Sequence, residues 1–233
     1  MGQDTTVGVV AALAAEARAL GPAVKRIGDL GSLGDGTLVA VSGMGCSAAG
    51  LAAARLIEAG ASALMSFGLA GGLDPSLNAG SVVLPSEIIS RSGARFLTST
   101  AWREQLRTAI AKQRPVADGT LLSSLDLIDT VADKAAAFLE TGAVAVDMES
   151  FGVAEVAAAH GLPFVAVRVI VDTAVDVLPR TVVAASRAGQ VSLRRLVGGF
   201  ALAPFDLVAL IRLAQRYRAA TRSLAAVAGA RVA

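Results

Sequence analysis

The sequence predicts an α/β fold, a single domain of helices laid over a largely buried sheet. Two observations carry that prediction. Alanine-rich stretches with helical spacing, such as 48–59, alternate with β-branched runs such as 38–41 and 164–171, the pattern of helices covering strands buried on both faces. Hydrophobic residues make up 54% of the 233 positions and charged residues only 17%. That is enough apolar material for a sizeable core and too little charge for a disordered chain.

Taken in order, strands are predicted near 6–11, 37–42 and 62–67, with a helix over 46–59 between the second and third. Further strands are expected near 80–89, 117–123 and 163–171, and helices over 101–112, 131–140 and 148–160. The run His160-Gly161-Leu162-Pro163 reads as a helix stop: a donor beside the last carbonyls, a glycine free to take positive φ, then a proline. This gives His160 a structural task rather than a catalytic one. Trp102 is expected to anchor the middle helix, and Cys46 to be a small packing residue at a helix start.

After Pro179 the texture changes to arginine-rich amphipathic helices, interrupted at Gly198-Gly199 and Pro204. The organisation expected is a core over 1–179 and a helical extension over 180–233 packed on the same domain. In the last helix Leu207, Leu210, Ile211, Ala214, Tyr217 and Leu224 share one face, Arg212 and Arg216 point away, and Arg218 and Arg222 border the apolar stripe. Such a helix either packs on the domain or lies beside lipid headgroups. The net charge of +2 hides an asymmetry, because residues 180–233 hold nine arginines against one acid, Asp206. Bases have little to stack on there, which disfavours nucleic acid as a partner, whereas an anionic membrane surface suits the region.

A single cysteine and a single histidine, Cys46 and His160, exclude an internal disulfide framework and offer no metal-ligand cluster. A reducing cytoplasm is the expected compartment, at the inner face of the membrane if the basic region meets lipid. The N-terminal apolar run is short and meets Glu16 and Arg18, unlike a signal peptide, and no run reaches the roughly 18 apolar residues of a membrane span.

Two glycine-containing segments follow apolar runs: Ser42-Gly43-Met44-Gly45 and Gly68-Leu69-Ala70-Gly71-Gly72. Glycine turns there would let backbone N–H groups converge on an anion or a ribose; the other reading is a tight strand-to-helix turn. Neither has the dinucleotide-binding or P-loop spacing. Asp147-Met148-Glu149-Ser150 leads into a helix, and Asp172 ends an apolar strand. Acids in such places are costly to bury unless hydrogen-bonded or functional. Helix-terminus charge for Asp147 and Glu149, and a capping or turn role for Asp172, are the alternatives.

Taken together and in order, these pieces resemble the nucleoside phosphorylase and nucleosidase superfamily, in particular its methylthioadenosine/S-adenosylhomocysteine nucleosidases. The resemblance runs over about 6–175: Val7-Gly8-Val9-Val10 with Glu16, the two glycine segments, Gly80-Ser81-Val82-Val83, Val146-Asp147-Met148-Glu149, and 163–168 leading to Asp172. It implies a three-layer α/β/α sandwich with a mixed central sheet, a homo-oligomer, and no cofactor, with phosphate as the only co-substrate in question. By the same resemblance Glu16 orients or deprotonates an attacking water, Glu149 binds ribose hydroxyls, Met148 packs on the sugar, and Asp172 protonates purine N7. Asp147, Ala70, Gly71, Leu127 and Ile128 would complete the substrate contacts. Ser42, Gly43, Gly45 and Arg168 would serve the nucleophile or a phosphate, with Arg91 and Arg95 as further phosphate helpers.

The Val-Asp-Met-Glu-Ser pattern at 146–150 and the basic C-terminal region are similar to the hopanoid-associated phosphorylases. That narrower resemblance implies cleavage of adenosylhopane, a purine nucleoside with a hydrophobic 5′ substituent, to adenine and a ribosyl or phosphoribosyl hopane. Hydrolysis of soluble methylthioadenosine or S-adenosylhomocysteine is the enzymatic alternative, and a non-catalytic membrane-associated nucleoside-binding protein is the other. Leu69 and Val171 stand where relatives often carry small hydroxyl residues, and the 87–121 segment is shorter than in the soluble nucleosidases, which reads either as an opened 5′ side of the pocket or as a trimmed surface loop.

Overall fold

The computed structural model describes residues 5–178 and 207–229. A mixed sheet of eleven strands forms its centre. One end is built from β1 (Val7–Ala11), β2 (Leu30–Ser32) and β3 (Leu38–Val41). The long central strand is β4 (Ala63–Gly72), followed by the short β5 (Val82–Val83). The other end holds β6 (Glu87–Ser90), β7 (Arg95–Leu97), β9 (Thr120–Ser123) and β10 (Ala143–Asp147). The hydrogen-bonded order is β2-β3-β1-β4-β10-β9-β6-β7; β11 (Phe164–Asp172) runs beside β4 and also pairs with β5, which in turn pairs with β8 (Val116–Ala117).

The sheet has helices on both faces. On one face Val9, Phe67, Val167 and Val169 pack with α1 (Ala14–Leu20), α3 (Thr100–Ala111) and the C-terminal α6 (Leu207–Ala228), through Leu20, Trp102, Leu106, Ile110 and Leu224. On the other face Val10, Leu64, Ala166 and Ile170 meet α2 (Cys46–Glu58) and α5 (Ser150–Ala159). Alternate residues of β1 and β11 thus enter opposite cores, and both strands read as continuous apolar runs for that reason. α4 (Val131–Thr141) covers a third, smaller cluster around Leu73, Leu122 and Val146. This is the three-layer α/β/α sandwich with a mixed sheet.

Several elements depart from the sequence reading. The run near 80–89 is two strands, because Pro85 has no N–H to continue a ladder. The run near 117–123 is also two, broken at Asp118-Gly119, where Gly119 has φ +137°. Short α1, β2, β7 and β10 carry too few residues to show a period. Gly68 to Gly72 is extended strand rather than a glycine turn, and positive φ occurs at Gly43 and Gly45 instead. His160 caps α5 as expected, its ring Nδ1 lying 2.9 Å from the Val156 carbonyl with Gly161 at φ +63°.

In α6 the described face that packs is Ala220, Leu224, Val227 and Ala228, so this part of the helix docks on the domain. Ala214, expected on the apolar face, is exposed, and Arg216, expected to point away, pairs with Asp176 in the loop after β11. The interruptions expected at Gly198-Gly199 and Pro204, and the side chains of Leu207, Leu210, Ile211 and Arg212, lie outside the described residues. Among the described residues no helix is long and apolar enough to cross a membrane.

α5 lies tightly against the start of α2, where a Cβ on Gly152 would stand 2.1 Å from the Cys46 carbonyl oxygen. Backbone cannot yield as a flexible side-chain tip can. Gly152→Val should therefore lower stability by about 3 kcal/mol, the upper end of ordinary overpacking costs, read as an earlier urea unfolding midpoint; an unchanged midpoint would contradict the packing.

Candidate active site

The site forms where β4 changes neighbours. Along one edge β4 pairs continuously with β11, but along the other it pairs with β1 only at 63–66 and with antiparallel β10 at 71–72. Between them the edge lies open, and the Leu69 N–H donates not to a strand but to Glu16 Oε1 at 2.9 Å. The other carboxyl oxygen, Oε2, accepts the Leu13 N–H at 2.9 Å, tying Glu16 to the start of its own helix. A gap at a change of strand order is where open α/β sheets collect ligands.

β10 enters this gap from the opposite direction and delivers Asp147, Met148 and Glu149. Glu149 is buried; its Oε1 accepts the Gly45 N–H at 2.8 Å, and its Oε2 accepts the Met148 N–H at 3.3 Å. Burial and the neighbouring Asp147 push the Glu149 carboxyl up to about 7, against the pull of Arg168. Burial also raises Glu16, again opposed by Arg168.

Arg168 is the fixed cation of the site. From β11 it crosses β4 over Gly68, where a Cβ would stand 2.6 Å from its Nη1 and 2.7 Å from Glu16 Oε1. Its Nε donates to Asp147 Oδ2 at 2.8 Å and its Nη2 lies 2.7 Å from the same oxygen; Nη2 also donates to the hydroxyls of Ser66 and Ser150. Asp147 additionally accepts the Ser150 N–H at the start of α5. Its carboxylate, expected on substrate, is turned instead to Arg168 and the helix end.

Asp172 closes β11 beyond a register shift between Ile170 and Asp172, a bulge that re-aims its side chain. Gly71 is the Cα partner of Asp172 on one side and of Val146 on the other. A Cβ there would stand 3.3 Å from Asp172 Oδ2. Two strand spacings, about 10 Å, therefore separate the backbones that carry Asp172 and the approach to Glu149, a span suited to one small ligand. Burial raises the Asp172 carboxyl, opposed by the ammonium of Lys134, whose Nζ donates to Oδ2 at 2.5 Å. Lys134 is fully buried on α4 and was not anticipated; a lysine in an otherwise apolar helical stripe was the signal available.

The remaining expected residues divide clearly. Ala70 is buried beneath the site, Met148 and Leu127 are half-buried, and Ile128 packs in the small core with Leu73 and Leu122. The Ser42–Gly45 turn was expected to offer amides to an anion, but Ser42 and Gly43 donate theirs to Ala11 and Ala12, and Gly45 donates to Glu149. The Ser42 hydroxyl bonds the Gly43 carbonyl. Arg95 pairs with Glu87 on the β6–β7 hairpin and Arg91 is exposed on its turn. Burial raises the Cys46 thiol, so the helix start does not activate it. Among the described residues no cluster of three His, Cys, Asp or Glu could hold a metal ion.

Residues 10–198 match the sequence profile of the Phosphorylase superfamily. The chain belongs to that superfamily. It is an enzyme of the phosphorylase and nucleosidase kind. Among solved structures, this superfamily member is similar to a 5′-methylthioadenosine/S-adenosylhomocysteine nucleosidase from Neisseria meningitidis, solved with methylthio-immucillin-A, at 21% identity and TM-score 0.73, covering 97% of each chain. It is also similar to the futalosine hydrolase of Helicobacter pylori at 18% identity and TM-score 0.69, covering 96% of this chain and 97% of that one. A methylthioadenosine/S-adenosylhomocysteine nucleosidase from the same organism gives 17% identity and TM-score 0.69, covering 97% and 98%. These likenesses extend the fold assignment over nearly the whole chain.

In this superfamily member the buried Arg168–Asp147 pair is the electrostatic anchor. Arg168→Met would leave the buried Asp147 carboxyl without its ion-pair partner, so stability should fall by about 4 kcal/mol in chemical denaturation; a loss below about 1 kcal/mol, the scale of an exposed pair, would show that the guanidinium is not needed there.

Proposed function

We propose that this enzyme hydrolyses the N-glycosidic bond of an adenosine derivative carrying an apolar 5′ substituent, adenosylhopane being the best candidate, to adenine and the ribosyl product. The observation that carries the reading is a set of three buried carboxyl groups at one gap of the sheet: Glu16 on the Leu69 amide, Asp172 against Gly71, and Glu149 near enough to Glu16 and Arg168 to feel the charge of both. Each suits a different part of one nucleoside. Asp172, raised by burial, holds a proton for purine N7 and so makes the base a better leaving group. Glu149 as carboxylate accepts the ribose hydroxyls and steadies positive charge developing on the sugar. Glu16, held by two backbone amides, orients and deprotonates the nucleophile.

Two features favour water over phosphate. An incoming phosphate would meet the carboxylate of Glu16, and the cation beside it, Arg168, is already paired with Asp147. The amides of Ser42, Gly43 and Gly45 are spent within the protein. The apolar 5′ group is supported by exposed apolar side chains after β11 and β9. Val175 and Val177 are strongly exposed in the segment that follows Asp172, and Leu125 in the segment after β9, which the Leu178 N–H to Asp129 carbonyl bond ties to it. The nine arginines of 180–233 supply the charge expected of a protein that draws such a substrate from an anionic bilayer.

Adenine release from adenosylhopane in lipid vesicles, with phosphate present or withheld, tests the reading: full activity without phosphate is expected, and strict dependence on phosphate would overturn the hydrolytic form. Faster turnover of methylthioadenosine, indifferent to lipid, would transfer the assignment to the soluble nucleosides. Glu16→Gln should lower kcat by at least about 100-fold in the same assay. Because Glu149 steadies the positive charge developing on the sugar only when ionised, kcat/KM should rise with pH through about 7. That limb should vanish in Glu149→Gln, and a limb that persists would mean another group produces it.

A further inference from the structure

Lys134 has no part in the chemistry just described, yet it is completely buried and every donor of its ammonium is used. Nζ donates to Asp172 Oδ2 at 2.5 Å, to the Thr173 carbonyl at 2.8 Å and to the Asp176 carbonyl at 3.0 Å. Three bonds in three directions leave a lysine no freedom. The two carbonyls are themselves held. Asp176 Oδ2 accepts the Thr173 N–H at 2.9 Å and its hydroxyl at 2.7 Å, and Oδ1 is paired with Arg216 of α6. A lysine used only to tie a loop would need the carbonyls alone; here the shortest contact goes to the acid. Burying an ammonium costs several kcal/mol unless its donors are satisfied, and without Asp172 Oδ2 one of the three would have no acceptor.

We infer that Lys134 is a positioning residue for Asp172: by gripping Oδ2 it leaves Oδ1 to carry the proton toward the purine over Gly71, and it stabilises the carboxylate left when that proton departs. The role rests on the glycosidic reading above. In the step, the Asp172 Oδ1–H bond breaks as the N7 lone pair takes the proton, the C1′–N9 bond breaks with its electron pair going to the base, and a water oxygen bonds to C1′ as its proton passes to Glu16. Asp172 ends as a carboxylate against the Lys134 ammonium. The charged groups facing Asp172 are Lys134 of α4 and Asp176 of the following loop, the latter balanced by Arg216 of α6. Lys134 pulls the Asp172 carboxyl down and Asp176 pushes it up. Removing the ammonium must therefore make the acid hold its proton to higher pH and give it up less readily.

Lys134→Met tests this with two substrates: an adenosine derivative that the wild type cleaves, and a p-nitrophenyl riboside, whose phenolate leaves without a proton. The expected result is a fall in kcat for adenine release of about 100-fold with KM within about twofold, a basic limb of the pH profile moved to higher pH, and p-nitrophenol release changed less than about threefold. In an Asp172→Asn background the same substitution should add nothing. Lys134→Gln, which keeps a donor for the carbonyls and removes the charge, should reproduce the selective loss if the methionine variant does not fold. Equal losses on both substrates with an unmoved basic limb would overturn the role alone. A wild type that releases adenine from no nucleoside would overturn the functional reading and this role with it.

Discussion

Residue 68 has no side chain, and the burial of charge in this protein depends on that. Only across a bare Cα can the Arg168 guanidinium pass from β11 over β4 to Asp147 on β10. The same bare position makes room for Glu16 against the open edge of the strand. Without the crossing, Asp147 would be a lone buried anion beside two more carboxyl groups, a state that burial would not tolerate in ionised form. One fixed cation therefore sets the electrostatics of the whole gap: it neutralises Asp147 fully and moderates Glu16 and Glu149 from a distance.

The gap itself follows from topology. β1 arrives parallel to β4 and stops; β10 arrives antiparallel and stops short of meeting it. The amide left unpaired at Leu69 has to be satisfied by a side chain, and Glu16 supplies it from the first turn of α1. A carboxylate held this way is rigid and faces the same space as Glu149, which is held in turn by the amide of Gly45 from a segment 104 residues earlier. Preorganised acids in a water-poor gap are what glycosidic chemistry draws on, since the charge that develops on sugar and base meets groups already in place. On the far side of β4, Asp172 is governed by a separate cation, Lys134, so its carboxyl and those of Glu16 and Glu149 answer to different cations.

Much of this was legible in the chain. The apolar runs of β1, β4 and β11, the helix over α2, and the helix stop at His160 follow from local chemistry that the fold does not override. Glu149 and Asp172 stood out because acids next to buried strands are costly without a purpose, whereas Glu16 came from the family resemblance alone. Other parts were not legible. Gly68 to Gly72 reads as a glycine turn in sequence, yet the glycines make room for side chains arriving from other elements, and they keep ordinary extended backbone. Lys134 looks like a solvated helix residue until α4 is docked over Asp172. Asp147 looks like a ligand group until Arg168 reaches it.

What the sequence determined alone was composition and period: an α/β sandwich, where its larger elements run, and which acids are too expensive to bury idly. Partner assignment belonged to the tertiary structure. Whether an amide is free for an anion or already spent, which carboxyl faces a cation, and how far a strand's edge stays open depend on groups as much as 104 residues apart. Charge interactions act through distance in space and through burial, and local spacing along a chain fixes neither.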